Sequence, residues 1–465
     1  VFKPRLQPSV LLAALLLCLG IGLPAASAAP PNPVREWWVA SGGASGPMGE
    51  LVDQSSCDYA TDHCWELYAN GGVYWHYATG VHAVRFALAG EFNRQGGPNG
   101  TLGYPTTDEA CGKRDGGCAQ EFQHGTELWS PTTGARTLLE PIRTLYRSLG
   151  WENGPLRYPV TNQVCGMEYD GCAQDFQGGT ILWPQRKGLD QPVSVRGALR
   201  DQYRALGSET GPLGYPLGDE GCGKRDGGCA QPFEGATMFW SAATGAHSVQ
   251  GWNVVAYNHL GWENGILGYP AAEAGCGKRD GGCSQDFQGG TMMWLPKLAT
   301  LASAHETGGT LVVRGALRSE YQLLGWENGV LGYPVANEGC GKRGGGCAQE
   351  FQGGTILWSP AGGGHEVRGA LRNAYQRSGW ENGALGYPIS DEACGKRDGG
   401  CSQEFEGGTL LWSPAAGAHS VTGSFRDQYR AQGWENGRLG YPTSDGPTTA
   451  SGPAVQLFQG GTLRR

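Results

Sequence analysis

The chain has 465 residues, of which 81 are Gly and 27 Pro; 17% are charged, 10% are aromatic, and the formal net charge is −8. Gly at more than one residue in six, against roughly 7% in ordinary proteins, excludes a long-helix or coiled-coil protein, and its lack of a period of three excludes collagen. A single long apolar run excludes a transmembrane bundle, the aromatic content argues against disorder, and the dispersed acidic charge does not suggest nucleic acid or an anionic membrane as partner.

Residues 1–28 read as a secretory signal peptide, with Lys3 and Arg5 as the basic region, Val10 to Leu23 as the apolar region, and Ala26-Ser27-Ala28 as the cleavage pattern. Its removal takes the charge from −8 to −10 and leaves no membrane span. Cys18 could carry a lipid anchor, but bulky Leu16 and Leu17 before it argue against one. The opening Val1 reads as a GTG start or as a fragment.

The remainder repeats itself. Leu-Gly-Tyr-Pro begins at Leu102, Leu213, Leu267, Leu331, Leu385 and Leu439. Leu156 begins a seventh copy and Met48 a degenerate first one, and from Met48 the spacings are 54, 54, 57, 54, 64, 54 and 54 residues. Such periodicity means one supersecondary unit copied in tandem. The expected repeats are 34–86 (degenerate), 87–140, 141–196, 197–250, 251–314 (with an insertion at 297–307), 315–368, 369–422 and 423–465 (incomplete). The last is a capping repeat, is completed by Val34–Val39 supplying its missing strand, or is truncated.

Within a repeat, Leu199, Tyr203 and Leu206 share one helix face, and Gly207 stops the helix. The Leu-Gly-Tyr-Pro turn follows, then a hairpin whose strand resembles Thr180-Ile181-Leu182-Trp183. The fold expected is an α+β, β-rich tandem repeat. Each unit of about 54 residues has a short helix, the turn and a β-hairpin, and about eight units form a propeller-like ring or a solenoid. A unit so small cannot bury a core alone, so neighbours must supply it.

Fourteen cysteines form seven pairs, each with six residues between: Cys57/Cys64, Cys111/Cys118, Cys165/Cys172, Cys222/Cys229, Cys276/Cys283, Cys340/Cys347 and Cys394/Cys401. In an exported chain that is a disulfide framework, expected to staple each unit at a Gly-rich loop where the core is thin. The spacing suits zinc poorly, and no metal or cofactor is expected. The sheet-end residues Trp129, Trp183, Trp240, Trp294, Trp358 and Trp412 read as core. His82, His247, His365 and His419 read as hairpin-surface residues. The loop cations Lys113, Arg114, Lys224, Lys278, Lys342 and Lys396 read as solvated, or as contacts for phosphate and carboxylate groups of a wall polymer. The acidic residues after each Pro, such as Asp108, Asp219 and Asp391, are expected to accept backbone N–H bonds in turns.

The pattern resembles the LGFP repeat of actinobacterial secreted proteins. The resemblance rests on Leu385-Gly386-Tyr387-Pro388, then Gly400-Cys401-Ser402-Gln403-Glu404-Phe405-Glu406-Gly407-Gly408, then Trp412, and it extends over residues 34–465. It implies an envelope protein held to the cell wall through polysaccharide. The Cys pairs and the Trp-Glu-Asn-Gly turn depart from the family pattern.

That turn supplies the candidate ligand contacts. Trp151, Trp262, Trp326, Trp380 and Trp434 offer flat rings for sugar stacking. Glu152, Asn153, Glu263, Asn264, Glu327, Asn328, Glu381, Asn382, Glu435 and Asn436 offer hydrogen bonds beside them. The alternative is that these Trp pack between repeats as core. No nucleophile elbow, zinc-protease motif or nucleotide loop is present in the sequence, so no catalytic residue is assigned. The expected function is non-catalytic, multivalent binding of cell-wall polysaccharide by a secreted, wall-associated protein. A protein-binding scaffold or adhesin is the first alternative. A wall hydrolase sited at the 297–307 insertion is the second.

Overall fold

The computed structural model describes residues 32–53, 57–58, 62–186, 188–296, 309–446 and 454–464. The signal peptide with Cys18 and the fifth-repeat insertion lie outside them. Eight short helices occur among the described residues: α1 (Pro33–Ala40), α2 (Phe86–Arg94), α3 (Ile142–Ser148), α4 (Gly197–Ala205), α5 (Trp252–His259), α6 (Gly315–Leu323), α7 (Gly369–Arg377) and α8 (Gly423–Ala431). None is long and apolar enough to cross a membrane. The chain divides into two bodies, residues 1–129 and 130–465.

In the first body, Asn32 caps α1 by accepting from the N–H groups of Val34 and Arg35, and Pro33 stands at the first helical position. Val34–Val39 is therefore helical. It supplies no strand to the eighth repeat, because Val34 is buried beside Met48, Tyr68 and Val73 of the first repeat. Strands Leu51–Asp53, His63–Tyr68, Gly71–His76 and Gly80–Arg85 form an antiparallel sheet, with Cys57–Asp58 as a short addition.

The second body shows what the repeat is. Sequence predicts a hairpin; the structure has a four-stranded antiparallel sheet. In repeat 4 the strands are Gly221–Cys222, Cys229–Pro232, Ala236–Ser241 and Gly245–Gln250. The Cys-bounded loop is itself the first hairpin, because Cys222 lies directly opposite Cys229. All seven disulfides are formed. Closing so short a loop stabilises each by about 2–3 kcal/mol in the chain-entropy model.

The expectation that these bridges sit where the core is thin needs correction. Cys64 and Cys172 are 0% and 1% exposed, so both are core residues that no ligand can reach. Cys64 packs with Val34, Met48 and Tyr68. Their partners differ: Cys57 is half-buried and Cys165 is exposed. Strand position is the reason. Cys64 and Cys172 stand on inner strands with a neighbour on each side, whereas Cys57 and Cys165 stand on two-residue strands at the margin of the sheet. These two bridges thus tie a margin strand into the core rather than replacing it, while Cys229, Cys283 and Cys347 are only half-buried.

Both sheet faces are covered, so the strand pattern is a continuous apolar run rather than an alternation. Ile356 packs in the cluster of Leu317 and Tyr321 on α6. Its neighbour Leu357 packs with Leu371 and Tyr375 on α7. One strand thus serves the cores of two successive repeats, which is how a unit of this size buries its apolar residues.

Three polar contacts hold the turn in register. The helix tyrosine donates to the turn glycine: Tyr375 Oη to Gly386 O at 2.8 Å, Tyr321 Oη to Gly332 O at 2.7 Å. Burial pushes the Tyr375 phenol well above its ordinary pKa, so it stays a donor. The motif glutamine is buried and ties two repeats: Gln231 Nε2 donates to Ser194 O at 2.8 Å and Gly218 O at 2.9 Å. Asp108, Asp219 and Asp445 do accept a backbone N–H, but from the preceding sheet rather than their own turn, whereas Asp391 meets the His365 ring. Ser420 N donates to Asp445 Oδ1 at 3.0 Å.

Candidate functional site

The Trp-Glu-Asn-Gly turn needs two successive residues in the left-handed region. Gly379 has φ 89° and Trp380 φ 54°; Trp151, Trp262, Trp326 and Trp434 repeat the latter at 54–56°. A side chain there costs about 1–2 kcal/mol. Gly43, Gly97 and Ser208 fill the same place in repeats 1, 2 and 4, so the fold does not require Trp. Ring packing offsets the strain. Each indole meets its helix tyrosine nearly edge to face, with centroids 5.2–5.4 Å apart. The guanidinium of Arg147 lies over Trp151, that of Arg318 over Trp326 and that of Arg372 over Trp380. These five rings are half-buried, and in three repeats one face is occupied by a cation.

The carboxylates beside them do not face solvent. Glu152, Glu263, Glu327, Glu381 and Glu435 are buried, while Asn153, Asn264, Asn328, Asn382 and Asn436 are exposed. Each Asn amide donates to its own Glu at 3.2–3.3 Å. The loop cations of the preceding repeat complete a clasp. Lys342 Nζ meets Glu381 Oε1 at 3.4 Å and Arg343 Nη1 donates to Glu381 O at 2.8 Å. The same pair of contacts joins Lys224 and Arg225 to Glu263, Lys278 and Arg279 to Glu327, and Lys396 and Arg397 to Glu435. The sequence predicts these carboxylates beside a ligand and these cations in solvent. The fold uses both to join repeats.

A cleft of about 280 Å³ opens beside the clasp, lined by Lys278, Asp286, Thr291, Arg318, Gln322 and Trp326. Arg318 donates to Thr291 Oγ1 and Asp286 Oδ1 at 2.6 and 3.1 Å. The related cleft at Asp175, Thr180, Arg204 and Ser208 has about 250 Å³. The first of these sets a Trp-Glu-Asn-Gly indole beside charged and amide groups; in the second, Ser208 stands where the Trp would be.

A second series of recesses goes beyond the sequence expectation. The sheet-end Trp residues, which read as core, are half-buried like the turn indoles; Trp240, Trp358 and Trp412 do pack against core clusters, with part of each ring left in solvent. Trp240, Trp294 and Trp358 each line an open groove of about 290–330 Å³, walled by the second Cys of the repeat and by the start of a helix. In two of the grooves an ion pair sits at the rim, Arg196–Glu220 at 3.0 Å and Arg314–Glu338. The register explains the placement: Trp240 is opposite Cys229, Trp294 opposite Cys283 and Trp358 opposite Cys347. The signal was in the sequence, since second Cys and Trp are always 11 residues apart, but the cross-strand pairing that gives it meaning was not. His82, His365 and His419 each contact the Asp after the next turn through Nδ1, at 2.8–3.3 Å.

The model of the LGFP repeat matches seven segments: residues 59–100, 102–154, 156–211, 213–265, 267–329, 331–383 and 385–437. No curated protein matches the chain. Among solved structures, the extracellular domain of a hybrid two-component system of B. thetaiotaomicron is 8% identical over 87% of this chain and 50% of its own, with a TM-score of 0.13. PorZ, a surface component of the type-IX secretion system of Porphyromonas gingivalis, is 8% identical over 88% and 50%, with a TM-score of 0.16. The chain thus spans about half the length of these structures, and likeness at that level carries no argument.

Proposed function

The chain belongs to the LGFP repeat family, and from that premise we propose that it is a non-catalytic secreted protein binding cell-wall polysaccharide through its repeats. The observation that carries this reading is the recurrence of Trp-lined recesses. The grooves at Trp240, Trp294 and Trp358 are each lined by a half-buried indole, and an indole with polar neighbours suits a sugar ring. The cleft at Trp326 offers a further contact. Weak sites repeated along one chain combine through effective concentration. Seven disulfides suit an oxidising, extracellular setting.

The test is sedimentation of the mature chain with isolated cell walls, before and after extraction of their polysaccharide. Binding that disappears on extraction supports the reading. Binding no greater than that of an unrelated disulfide-bonded domain sinks it. A protein-binding role draws on one specific feature: Leu323 and Val330, flanking Trp326, are 82% and 51% exposed. Retention of wall binding after polysaccharide extraction, lost in Leu323→Ser, would favour it.

A further inference from the structure

One place in the array breaks its own pattern. Glu320 on α6, Glu366 on strand Gly363–Arg368 and Asp391 after the turn of repeat 7 bring a carboxylate oxygen each to within 4.8 Å of one another. The same three positions, each 118 residues earlier, hold Gln202, Ser248 and Glu273. There the hydrogen bonding is closed. Gln202 Nε2 and Ser248 N donate to Glu273 Oε1 at 2.8 and 2.9 Å, and Ser248 Oγ donates to Oε2 at 2.5 Å. In repeats 7 and 8 the positions hold Ala374, Ser420 and Asp445, again with a single carboxylate.

At Glu320, Glu366 and Asp391 both donors have been replaced by acceptors. Glu366 is 2% exposed and Glu320 7%. Glu366 Oε2 and Glu320 Oε1 are buried with no hydrogen-bond partner among the described residues. Leaving a buried charged acceptor unsatisfied costs on the order of several kcal/mol. The surrounding cations do not balance the charge. Arg368 is shared between Glu366 at 3.4 Å and Glu392 at 2.9 Å. His365 Nδ1 lies 2.8 Å from Asp391 Oδ1, while its Nε2 contacts Gly362 O. With all four carboxyls ionised and His365 protonated, Glu320, Glu366, Asp391 and Glu392 exceed Arg368 and His365 by two negative charges.

We propose that Glu320, Glu366 and Asp391 form a calcium site joining repeats 6 and 7. The donor set is all carboxylate oxygen, which suits a hard cation. Calcium–oxygen distances of about 2.3–2.6 Å let two ligands of one ion lie up to about 5 Å apart, as these oxygens do. Magnesium, at about 2.0–2.1 Å, needs them closer. Asp391, with a side chain 48% exposed, leaves the site open to solvent for entry and for the waters that complete the shell. Three protein ligands place the affinity at about 0.1–1 mM, the class of extracellular calcium modules.

The experiment is equilibrium dialysis and thermal unfolding of the mature chain in EDTA, in 5 mM CaCl₂ and in 5 mM MgCl₂. One calcium per chain is expected, with melting raised by about 2–4 °C. Glu320→Gln with Glu366→Ser installs the residues found 118 positions earlier. That variant is expected to fold, to melt higher than the parent in EDTA, and to lose the calcium response. No calcium bound by the parent chain, an equal magnesium response, or an undiminished response in the double variant would each overturn the proposal. If protons relieve the cluster instead, melting rises on acidification with no calcium response, which also overturns it. None of these readouts involves the wall.

Discussion

The phenol oxygen of Tyr387 occupies the space that a side chain on Gly346 would need. A Cβ on Gly346 falls 2.3 Å from that oxygen, which donates to Arg343 O at 2.7 Å. The turn tyrosine of one repeat is thereby seated on the Cys loop of the repeat before it. Tyr269 with Gly228, Tyr333 with Gly282 and Tyr441 with Gly400 repeat the relationship.

Gly346→Ala should therefore destabilise by about 2–4 kcal/mol, through overpacking and a lost hydrogen bond. Tyr387→Phe removes only the bond and should cost about 1 kcal/mol. Denaturant unfolding of both variants checks this. A Gly346→Ala chain as stable as the parent would refute the seating.

The clasp predicts coupling between Lys342 and Glu381. Lys342→Met leaves a buried carboxylate held by Asn382 and should cost about 1–2 kcal/mol, discounted because the lysine is one-third exposed. In a Glu381→Gln background the same change should cost less than half as much. A double-mutant cycle with no interaction energy would place the pair in solvent after all.

The two series of Trp recesses make different predictions for wall binding. Trp240→Ala with Trp358→Ala should lower the bound fraction at least several-fold while the chain still unfolds cooperatively. Trp326→Gly with Trp380→Gly relieves left-handed strain and removes rings already covered by Arg318 and Arg372. Its effect on binding should be smaller. Equal losses would move the main contact surface to the Trp-Glu-Asn-Gly clefts.

Glu127 makes the stability of the first body depend on pH. It stands where Ile181, Met238, Met292 and Ile356 stand in later repeats. Both of its carboxylate oxygens are buried without partners among the described residues. Burial first, and the Glu91 charge second, push its pKa up to about 9. The folded chain then holds a proton that the unfolded chain releases near pH 4.5. The stability this proton contributes is full below pH 4.5 and declines as pH rises to about 9. Glu127→Met should flatten that decline and raise stability at pH 8. Melting curves between pH 5 and 9 would show it, and an unchanged slope would contradict the assignment.

Much of the repeat was legible because its signals are local. Leu199, Tyr203 and Gly207 mark a helix face and its stop whatever surrounds them. The constant Cys222-to-Cys229 spacing encodes the cross-strand disulfide in the same way. The depth of a bridge is not local: Cys64 and Cys172 are buried because other strands and helices close over them. The sheet was under-read as a hairpin because a strand covered on both faces loses its alternation. Ile356 and Leu357 are both buried, each by a different helix, and nothing in their order says so.

The sites were less legible because they lie between repeats. Glu381 reads as a surface carboxylate until Lys342, 39 residues away, is brought over it. Trp358 packs on the core as it reads, but only its place opposite Cys347 shows that its other side borders a groove. Glu320, Glu366 and Asp391 are ordinary in sequence and come together only when α6, the sheet of repeat 6 and the turn of repeat 7 pack. Sequence alone determined the repeat, its period, its disulfides and its family, since these depend on residues within one unit. The tertiary structure alone decided which faces are clasp, groove or ion site. A unit of this size finishes its core and neutralises its charges only against its neighbours, so exposure is a property of the stack.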